Sequence, residues 1–151
     1  MRRPGGPFRP TLVAAATALL LVACSSSDDK EARRRSAGPA PSAAALLRVA
    51  SASAGERVFY QCFACHSIRR DAADRSGPNL FGVMGAEIGQ RRPRFAYTSA
   101  LASFGGRWTA ERMDAWLANP KRVVPGTAMG FPGLADPLDR ADVIAYLQKQ
   151  H

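Results

Sequence analysis

The chain has 151 residues and a net charge of +9, from 21 Lys and Arg against 12 Asp and Glu. Its three cysteines are an odd number, which excludes a disulfide framework that pairs every cysteine within the chain. The positive charge favours an acidic protein partner or an anionic surface. The sequence has no nucleic-acid-binding motif, so we expect no nucleic acid partner.

The first 23 residues predict an export signal. Three arginines are followed by an apolar run of thirteen residues, Thr11 to Ala23. This length suits a signal peptide and is shorter than the ~20 residues needed to span a bilayer. The run ends directly before Cys24, which resembles a bacterial lipoprotein signal. That resemblance implies lipidation of Cys24 and anchorage at the periplasmic face of a bacterial membrane, inner or outer. The alternative is an ordinary signal peptide in which Cys24 has no role.

Residues 24–51 are predicted to form the lipid attachment site and a flexible linker. The segment is polar, contains Arg33-Arg34-Arg35, and has Gly and Pro between residues 38 and 42 that would break a helix. A coil of about 27 residues has a root-mean-square span of roughly 25–30 Å. We interpret the three arginines as a solvated charge run, with contact to anionic lipid headgroups as the alternative. Residues 43–50 have the composition of a short, weak helix.

The remaining residues, 52–151, are enough for one domain with a single core. They retain a net charge of +4, because residues 1–23 carry three positive charges and residues 24–51 a net two. Ser53 and Glu56 have the spacing of a capping box, so a helix is expected to start there. Further helix starts are predicted at Thr109 and at Asp136, which precedes a proline. No long alternating pattern indicates a sheet. The domain is therefore predicted to be all-α and rich in loops.

The most specific motif is Cys62-Phe63-Ala64-Cys65-His66. Two thiols at this spacing can add to the two vinyl groups of one haem, and the next residue then places its imidazole at the iron. A redox disulfide would be expected within a βαβ pattern, and structural zinc would need a second pair of ligands. Neither pattern is present. The motif predicts one covalent haem c, attached through Cys62 and Cys65, with His66 as an axial ligand.

Met129 is predicted to be the ligand opposite His66. It follows Pro125-Gly126, a pair that suits a type II turn. The only other histidine is the terminal His151. The remaining methionines have other assignments: Met1 belongs to the signal, Met84 to packing and Met113 to a helix core. Packing is also the alternative role for Met129.

Residues 53–149 resemble class I cytochromes c of the mitochondrial and bacterial type. Besides the haem motif, the matching stretches are residues 55–59, 77–82, 95–98, 119–121, 125–127 and 140–147, together with Trp108 and Met129. The resemblance implies a small cytochrome c fold of about four or five helices around one haem. It also implies a monomeric periplasmic carrier that moves one electron as the haem iron cycles between Fe(II) and Fe(III). Such a protein is not an enzyme and has no small-molecule substrate. Its partners would be redox proteins, such as a respiratory or photosynthetic complex.

The same resemblance implies roles for four more residues. The carbonyl of Pro78 would accept a hydrogen bond from the proximal imidazole, which raises ligand basicity and fixes the ring. Tyr97 and Trp108 would bond one haem propionate, and Thr127 the other.

Two positions depart from the family pattern, and they leave the haem potential open. Trp116 stands where tyrosine is usual, and Leu101 stands where many members have asparagine. Two functional alternatives remain. One is a haem enzyme or ligand sensor in which Met129 leaves the iron, and the other is a fixed subunit of a larger oxidoreductase.

A ring of basic residues is predicted to surround the exposed haem edge and to steer acidic partners. Scattered surface charge is the alternative. The residues are Arg57, Arg69, Arg70, Lys121 and Arg122.

Overall fold

The computed structural model describes Met1 and residues 25–151. Residues 2–23 of the predicted signal peptide and Cys24 lie outside the described residues. Across the described part the chain forms α-helices and one 3₁₀ turn but no β-strand, apart from an isolated bridge between Glu87 and Arg107. The helices are α1 (Ser25–Ala37), α2 (Ala43–Val49), α3 (Ala52–Phe59), α4 (Ser99–Ala102), α5 (Ala110–Ala118), α6 (Pro120–Val123) and α7 (Pro137–Gln148). The all-α prediction is confirmed, and five of these helices lie within residues 52–151. No helix in the described ranges is long and apolar enough to cross a membrane.

Two of the predicted helix starts are confirmed. The Thr109 hydroxyl accepts a hydrogen bond from the Arg112 amide at 3.3 Å and caps α5. The Asp136 carboxylate accepts one from the Leu138 amide at 2.9 Å and caps α7. Both caps satisfy backbone amides that a helix cannot pair within itself.

The predicted cap at Ser53 is wrong, because Ser51 caps α3 instead. The Ser51 hydroxyl accepts a hydrogen bond from the Ala54 amide at 3.3 Å. The amide of Ser51 is itself held by the Asp142 carboxylate at 2.7 Å. This contact fixes Ser51 in an extended conformation, so the helix has already begun when the chain reaches Ser53.

The main core forms where α3 crosses α7. A methyl group added at Gly55 would lie 1.9 Å from the carbonyl oxygen of Asp142, so only glycine allows the two backbones to approach this closely. One turn further on, Phe59 is 1% exposed and its ring centroid lies 5.2 Å from that of Tyr146. The crossing fixes the end of α3, from which the Cys62–His66 motif starts.

The flexible coil predicted for residues 24–51 is wrong over residues 25–37, which form a helix, whereas the short helix predicted over residues 43–50 is confirmed over residues 43–49. The expected helix break is present, since Gly38 has a φ of +99° and separates α1 from α2. Packing against α7 explains the difference. Leu46 of α2 is buried against Leu138 and Ala141, and basic side chains of α1 pair with acidic side chains of α7. A sequence pattern that would be solvated alone is ordered by a distant part of the chain.

Candidate haem site

The Cys62–His66 motif continues from α3 through a 3₁₀ turn, Tyr60–Ala64. The amides of Cys65 and His66 both donate to the carbonyl of Cys62, at 3.1 and 2.9 Å. Residues three and four positions apart on such a turn share one face, so the two thiols and the imidazole can address a single group. The ring of Phe63 packs edge-on against Phe59 at 5.1 Å between centroids, and this contact holds the turn on the core.

The two thiols are free, and the buried environment of Cys62 does not favour redox or zinc chemistry. Burial, with a smaller contribution from Cys65, raises the pKa of the Cys62 thiol to about 11. A redox-active cysteine or a zinc ligand requires an accessible thiolate, which a lowered pKa provides. Within the described residues, no group of three or more His, Cys, Asp or Glu side chains is placed to hold a metal ion. Cys62 therefore lacks the lowered thiol pKa that is typical of disulfide exchange.

The imidazole of His66 is buried and oriented by one hydrogen bond. Nδ1 lies 2.7 Å from the carbonyl oxygen of Pro78, which can only accept, so Nδ1 carries the proton and donates it. Burial lowers the pKa of His66, although the bond to Pro78 opposes that effect. The ring is therefore neutral at pH 7, and the lone pair of Nε2 is available to a metal ion.

Gly77 supplies the surface on which this imidazole lies. A methyl group at Gly77 would be 2.4 Å from Cε1, 2.7 Å from Nδ1 and 2.9 Å from Nε2 of His66. The Gly77 amide donates to the carbonyl of Cys65 at 2.8 Å, which fixes the distance between the loop and the motif. The absent side chain thus leaves the space that the ring fills.

Asn79 organises this loop, a role that the sequence reasoning missed. The residue is 1% exposed. Its side-chain amide donates to the carbonyls of Arg69 and Ala72 at 2.8 and 2.7 Å, and its Oδ1 accepts from the amide of Phe81 at 2.7 Å. Its own amide donates to the Asp74 carboxylate at 2.8 Å. The backbone amide and both polar side-chain atoms of Asn79 therefore have hydrogen-bond partners. These bonds fix the position of the carbonyl of the preceding residue, Pro78. In the sequence, the one indication of this role was that Asn79 directly follows Pro78.

A second loop is tied to the first by two arginines. Arg92 Nε donates to the Asp74 carboxylate at 2.8 Å. Arg91 Nε donates to the carbonyl of Gly82 at 3.0 Å, and its Nη1 donates to that of Asn79 at 3.1 Å. These contacts connect residues 86–94 to the loop that orients His66.

Met129 follows the expected turn. Gly126 has a φ of +94°, and the Thr127 amide donates to the carbonyl of Val124 at 3.1 Å, as in a type II turn. The Met129 amide then donates to the Thr127 hydroxyl at 3.2 Å. The Met129 side chain is half-buried and packs against the main core. The Thr127 hydroxyl keeps its own hydrogen for another acceptor.

The aromatic residues of the predicted propionate site lie at the edge of the core. Trp108 is 7% exposed and its ring centroid is 5.3 Å from that of Trp116. Tyr97 is half-buried and packs against Phe95 at 5.0 Å between centroids. Burial raises the pKa of Tyr97, so its phenol stays protonated and can donate a hydrogen bond.

These residues fit a covalently held haem. The candidate donors are two free thiols, a neutral imidazole with an unused nitrogen and, on a separate loop, the thioether of Met129. Several apolar side chains pack against the core on one side only and remain partly open on the other: Phe63, Leu80, Met84, Leu101, Val123 and Phe131. Together with the all-α fold, this donor set defines a haem protein in which the cofactor completes the core.

Comparison with known proteins identifies the family. No protein-family model matches the chain. The chain is 44% identical over 102 residues to a "Cytochrome c homolog" of Bradyrhizobium diazoefficiens, a match that covers 68% of this chain and 55% of that protein. It is 47% identical over 97 residues to cytochrome c2 of Rhodomicrobium vannielii, covering 64% of this chain and 77% of the relative. Among solved structures it is similar to cytochrome cH from Methylobacterium extorquens. That match has a TM-score of 0.62 and 43% identity, and it covers 65% of this chain and 97% of the other.

The chain belongs to the cytochrome c family. Accordingly it binds one covalent haem c, and it is an electron-transfer protein and not an enzyme. The chain spans little more than half the length of the Bradyrhizobium protein.

Proposed function

We propose that the chain is a periplasmic one-electron carrier held at a bacterial membrane through lipidated Cys24. In this proposal Cys62 and Cys65 carry the haem, and His66 and Met129 are its axial ligands. When bound, the haem supplies a one-electron Fe(II)/Fe(III) couple. The observation that carries the proposal is the state of His66, which is buried and neutral and has Nε2 unused beside two free thiols.

The two proposed axial ligands act differently on the potential. The bond from His66 to Pro78 increases the electron donation of the imidazole and fixes the plane of its ring. The Met129 thioether is neutral and soft, which favours the reduced state relative to a second imidazole. With both ligands in place, no coordination position remains for a substrate. The comparisons give no support to an enzyme, a ligand sensor or a fixed subunit of a larger complex.

Replacement of Met129 tests the proposed ligand set. Met129→Leu should remove the weak red absorption band that marks methionine coordination in ferric cytochromes c. Met84→Leu is the matched control, because Met84 is also half-buried against the main core. A band that survives in Met129→Leu, or that is lost equally in Met84→Leu, would contradict the assignment.

Tyr97, Trp108 and Thr127 are proposed to bond the haem propionates. A buried carboxylate without hydrogen-bond partners is costly, and these side chains offer a phenol, an indole N–H and a hydroxyl. Tyr97→Phe keeps the packing against Phe95 and removes only the donor. We expect a measurable shift of the midpoint potential in this variant, determined by redox titration. An unchanged potential would mean that the phenol does not contact a propionate.

The membrane anchor rests on the sequence, where an apolar run ends directly before Cys24. Two or more acyl chains hold a protein stably, whereas one chain binds only marginally. Cys24→Ser should therefore move the protein from the membrane fraction to the soluble periplasmic fraction. Recovery of the variant in the membrane pellet would refute the lipid anchor.

The predicted basic ring consists of exposed side chains. Arg57, Arg69, Arg70, Lys121 and Arg122 are all exposed, and no carboxylate in the described ranges forms an ion pair with them. We propose that they attract an acidic redox partner, and that electron transfer to it slows as salt is added. Lys121→Gln should slow the reaction at low salt, whereas the exposed Lys149→Gln should not. Equal rates for the two variants would argue against the ring.

A further inference from the structure

The N-terminal helix α1 is attached to α7 by charged side chains. Three acidic residues, here called the α7 aspartates, lie at the start of α7 and along its first turns: Asp136, Asp139 and Asp142. Lys30 Nζ lies 2.8 Å from Asp136 and 2.5 Å from Asp139. Arg34 pairs with Asp136 as well. Arg33 Nη1 and Nη2 donate to the two oxygens of Asp142 at 2.6 and 3.1 Å.

Helices α1 and α2 are held by different forces. Among the described side chains of α1, only Ala37 packs against an apolar cluster. In α2, Ala45 and Leu46 are buried, and Leu46 packs against Leu138 and Ala141. Salt weakens the partly exposed pairs of Lys30 and Arg34 with Asp136 and Asp139, and it screens the largely buried pair of Arg33 with Asp142 much less. Apolar contacts are not weakened by salt. The attachment of α1 should therefore depend on salt more than that of α2, through Lys30 and Arg34.

One buried hydrogen-bond donor of α1, Arg33 Nε, is imperfectly paired within the described residues. It has no hydrogen bond to any described residue, and its ion pair with Asp29 Oδ2 at 3.3 Å lies within α1 itself. An unsatisfied buried donor weakens the docked state. The two helices are separated at Gly38, whose φ of +99° is followed by Pro39. Rotation at this point can release α1 while Leu46 of α2 stays packed on Leu138 and Ala141. The release breaks the contact of Ala37 with this cluster and the 3.3 Å hydrogen bond from Arg33 to the Val49 carbonyl.

We propose that α1 is a detachable helix. Its basic side chains bind the α7 aspartates at low ionic strength, and α1 leaves as a unit, hinged at Gly38, while α2 stays in place. This inference builds on the proposed function, because release would lengthen the connection to a lipid on Cys24. Residues 24–42, once free, have a root-mean-square span of roughly 20–25 Å. The docked state holds the cytochrome domain close to its anchor, and the released state allows it to reach a partner further away.

Hydrogen exchange read by mass spectrometry tests this proposal on the full-length, haem-loaded protein in detergent micelles. The two conditions are about 0.01 M and about 1 M salt, where the Debye length is about 30 Å and about 3 Å. We expect α1 amides to exchange about tenfold faster at high salt, and α2 amides to change much less. The measurement does not depend on lipid at Cys24, so its outcome is separate from that of the anchor.

Two arginines of α1 provide a matched pair of variants. Arg33→Gln removes the contact to Asp142, so α1 should exchange fast at both salt concentrations. Arg35→Gln changes a residue whose side chain is 68% exposed and whose ion pair within the described part of the chain is with Glu31 of the same helix. Hydrogen exchange in this variant should therefore match the unmodified protein. The proposal is overturned if α1 exchange is insensitive to both salt and Arg33→Gln. It is also overturned if α1 and α2 lose protection together.

Discussion

Gly77 is the residue whose replacement tests most directly how the fold positions the haem ligand. Gly77→Ala would place a methyl group 2.4 Å from Cε1 of the His66 imidazole. Carbon atoms in ordinary contact lie about 3.5–4.0 Å apart, so the ring has to move by about 1 Å or more. The neighbouring backbone cannot yield easily, because the Gly77 amide is bonded to Cys65 at 2.8 Å.

This displacement has two measurable consequences. Overpacking a filled site costs about 1–3 kcal/mol, so the free energy of unfolding should fall by that amount. The ring also loses its 2.7 Å bond to Pro78, which contributes about 0.5–1.5 kcal/mol. That bond makes the imidazole a stronger donor and stabilises Fe(III), so its loss raises the midpoint potential. If the hydrogen bond stabilises only the ferric state, its loss raises the midpoint potential by about 20–65 mV. The conversion uses 59 mV for a tenfold change in a one-electron equilibrium.

Gly130→Ala is the matched control, because no heavy atom of the described residues lies within 4 Å of the added methyl group and the φ of Gly130 is not positive. The two variants are compared by redox titration and by denaturant unfolding. Gly77→Ala should show both the lower stability and the higher potential, and Gly130→Ala neither. If both variants behave like the unmodified protein, the space at Gly77 does not position His66.

Three further substitutions probe the surrounding structure. Gly55→Ala should destabilise the domain by at least about 1–3 kcal/mol in urea, since the clash with the α7 backbone exceeds the ~1 kcal/mol gained in helix propensity. Burial would raise the pKa of Asp74, but a backbone amide and Arg92 outweigh it and lower the pKa below 3.8. The stability that Asp74 contributes is therefore complete above that value and lost as pH falls through the lower, folded value. Asp74→Asn should remove this part of the acid dependence of unfolding. Phe59→Ala should cost about 3–5 kcal/mol, whereas Phe104→Ala, at a residue 41% exposed, should cost far less.

The features that sequence predicted well depend on a few adjacent residues. The caps at Thr109 and Asp136 and the turn around Gly126 follow from local backbone chemistry. The predicted cap of α3 was wrong because a distant residue decides between Ser51 and Ser53. Asp142, 91 positions from Ser51, holds the Ser51 amide and so selects Ser51 as the cap. Local patterns therefore predict where elements start only when no distant side chain competes.

The helix over residues 25–37 was not predicted because the contacts that hold it are distant in sequence. Arg33 meets its partner Asp142 across 109 positions, and no local pattern in a basic, proline-containing segment reports that contact. The role of Asn79 was missed for a related reason, since its partners are backbone carbonyls that only the folded loop brings together.

Asp142 connects the N-terminal segment to the core, and this connection has a thermodynamic consequence. Its carboxylate is 1% exposed and accepts from Arg33 and from the amide of Ser51, while its backbone carbonyl meets Gly55 at the helix crossing. A buried carboxylate that loses its only cation is costly unless water reaches it. Arg33→Gln should therefore lower the unfolding free energy of the whole domain by about 1–3 kcal/mol, and Arg35→Gln should leave it unchanged. Equal unfolding midpoints for the two variants would show that the crossing of α3 and α7 is independent of α1. If the unfolding free energy falls only in Arg33→Gln, the docking of α1 stabilises α3, the helix that directly precedes the haem motif.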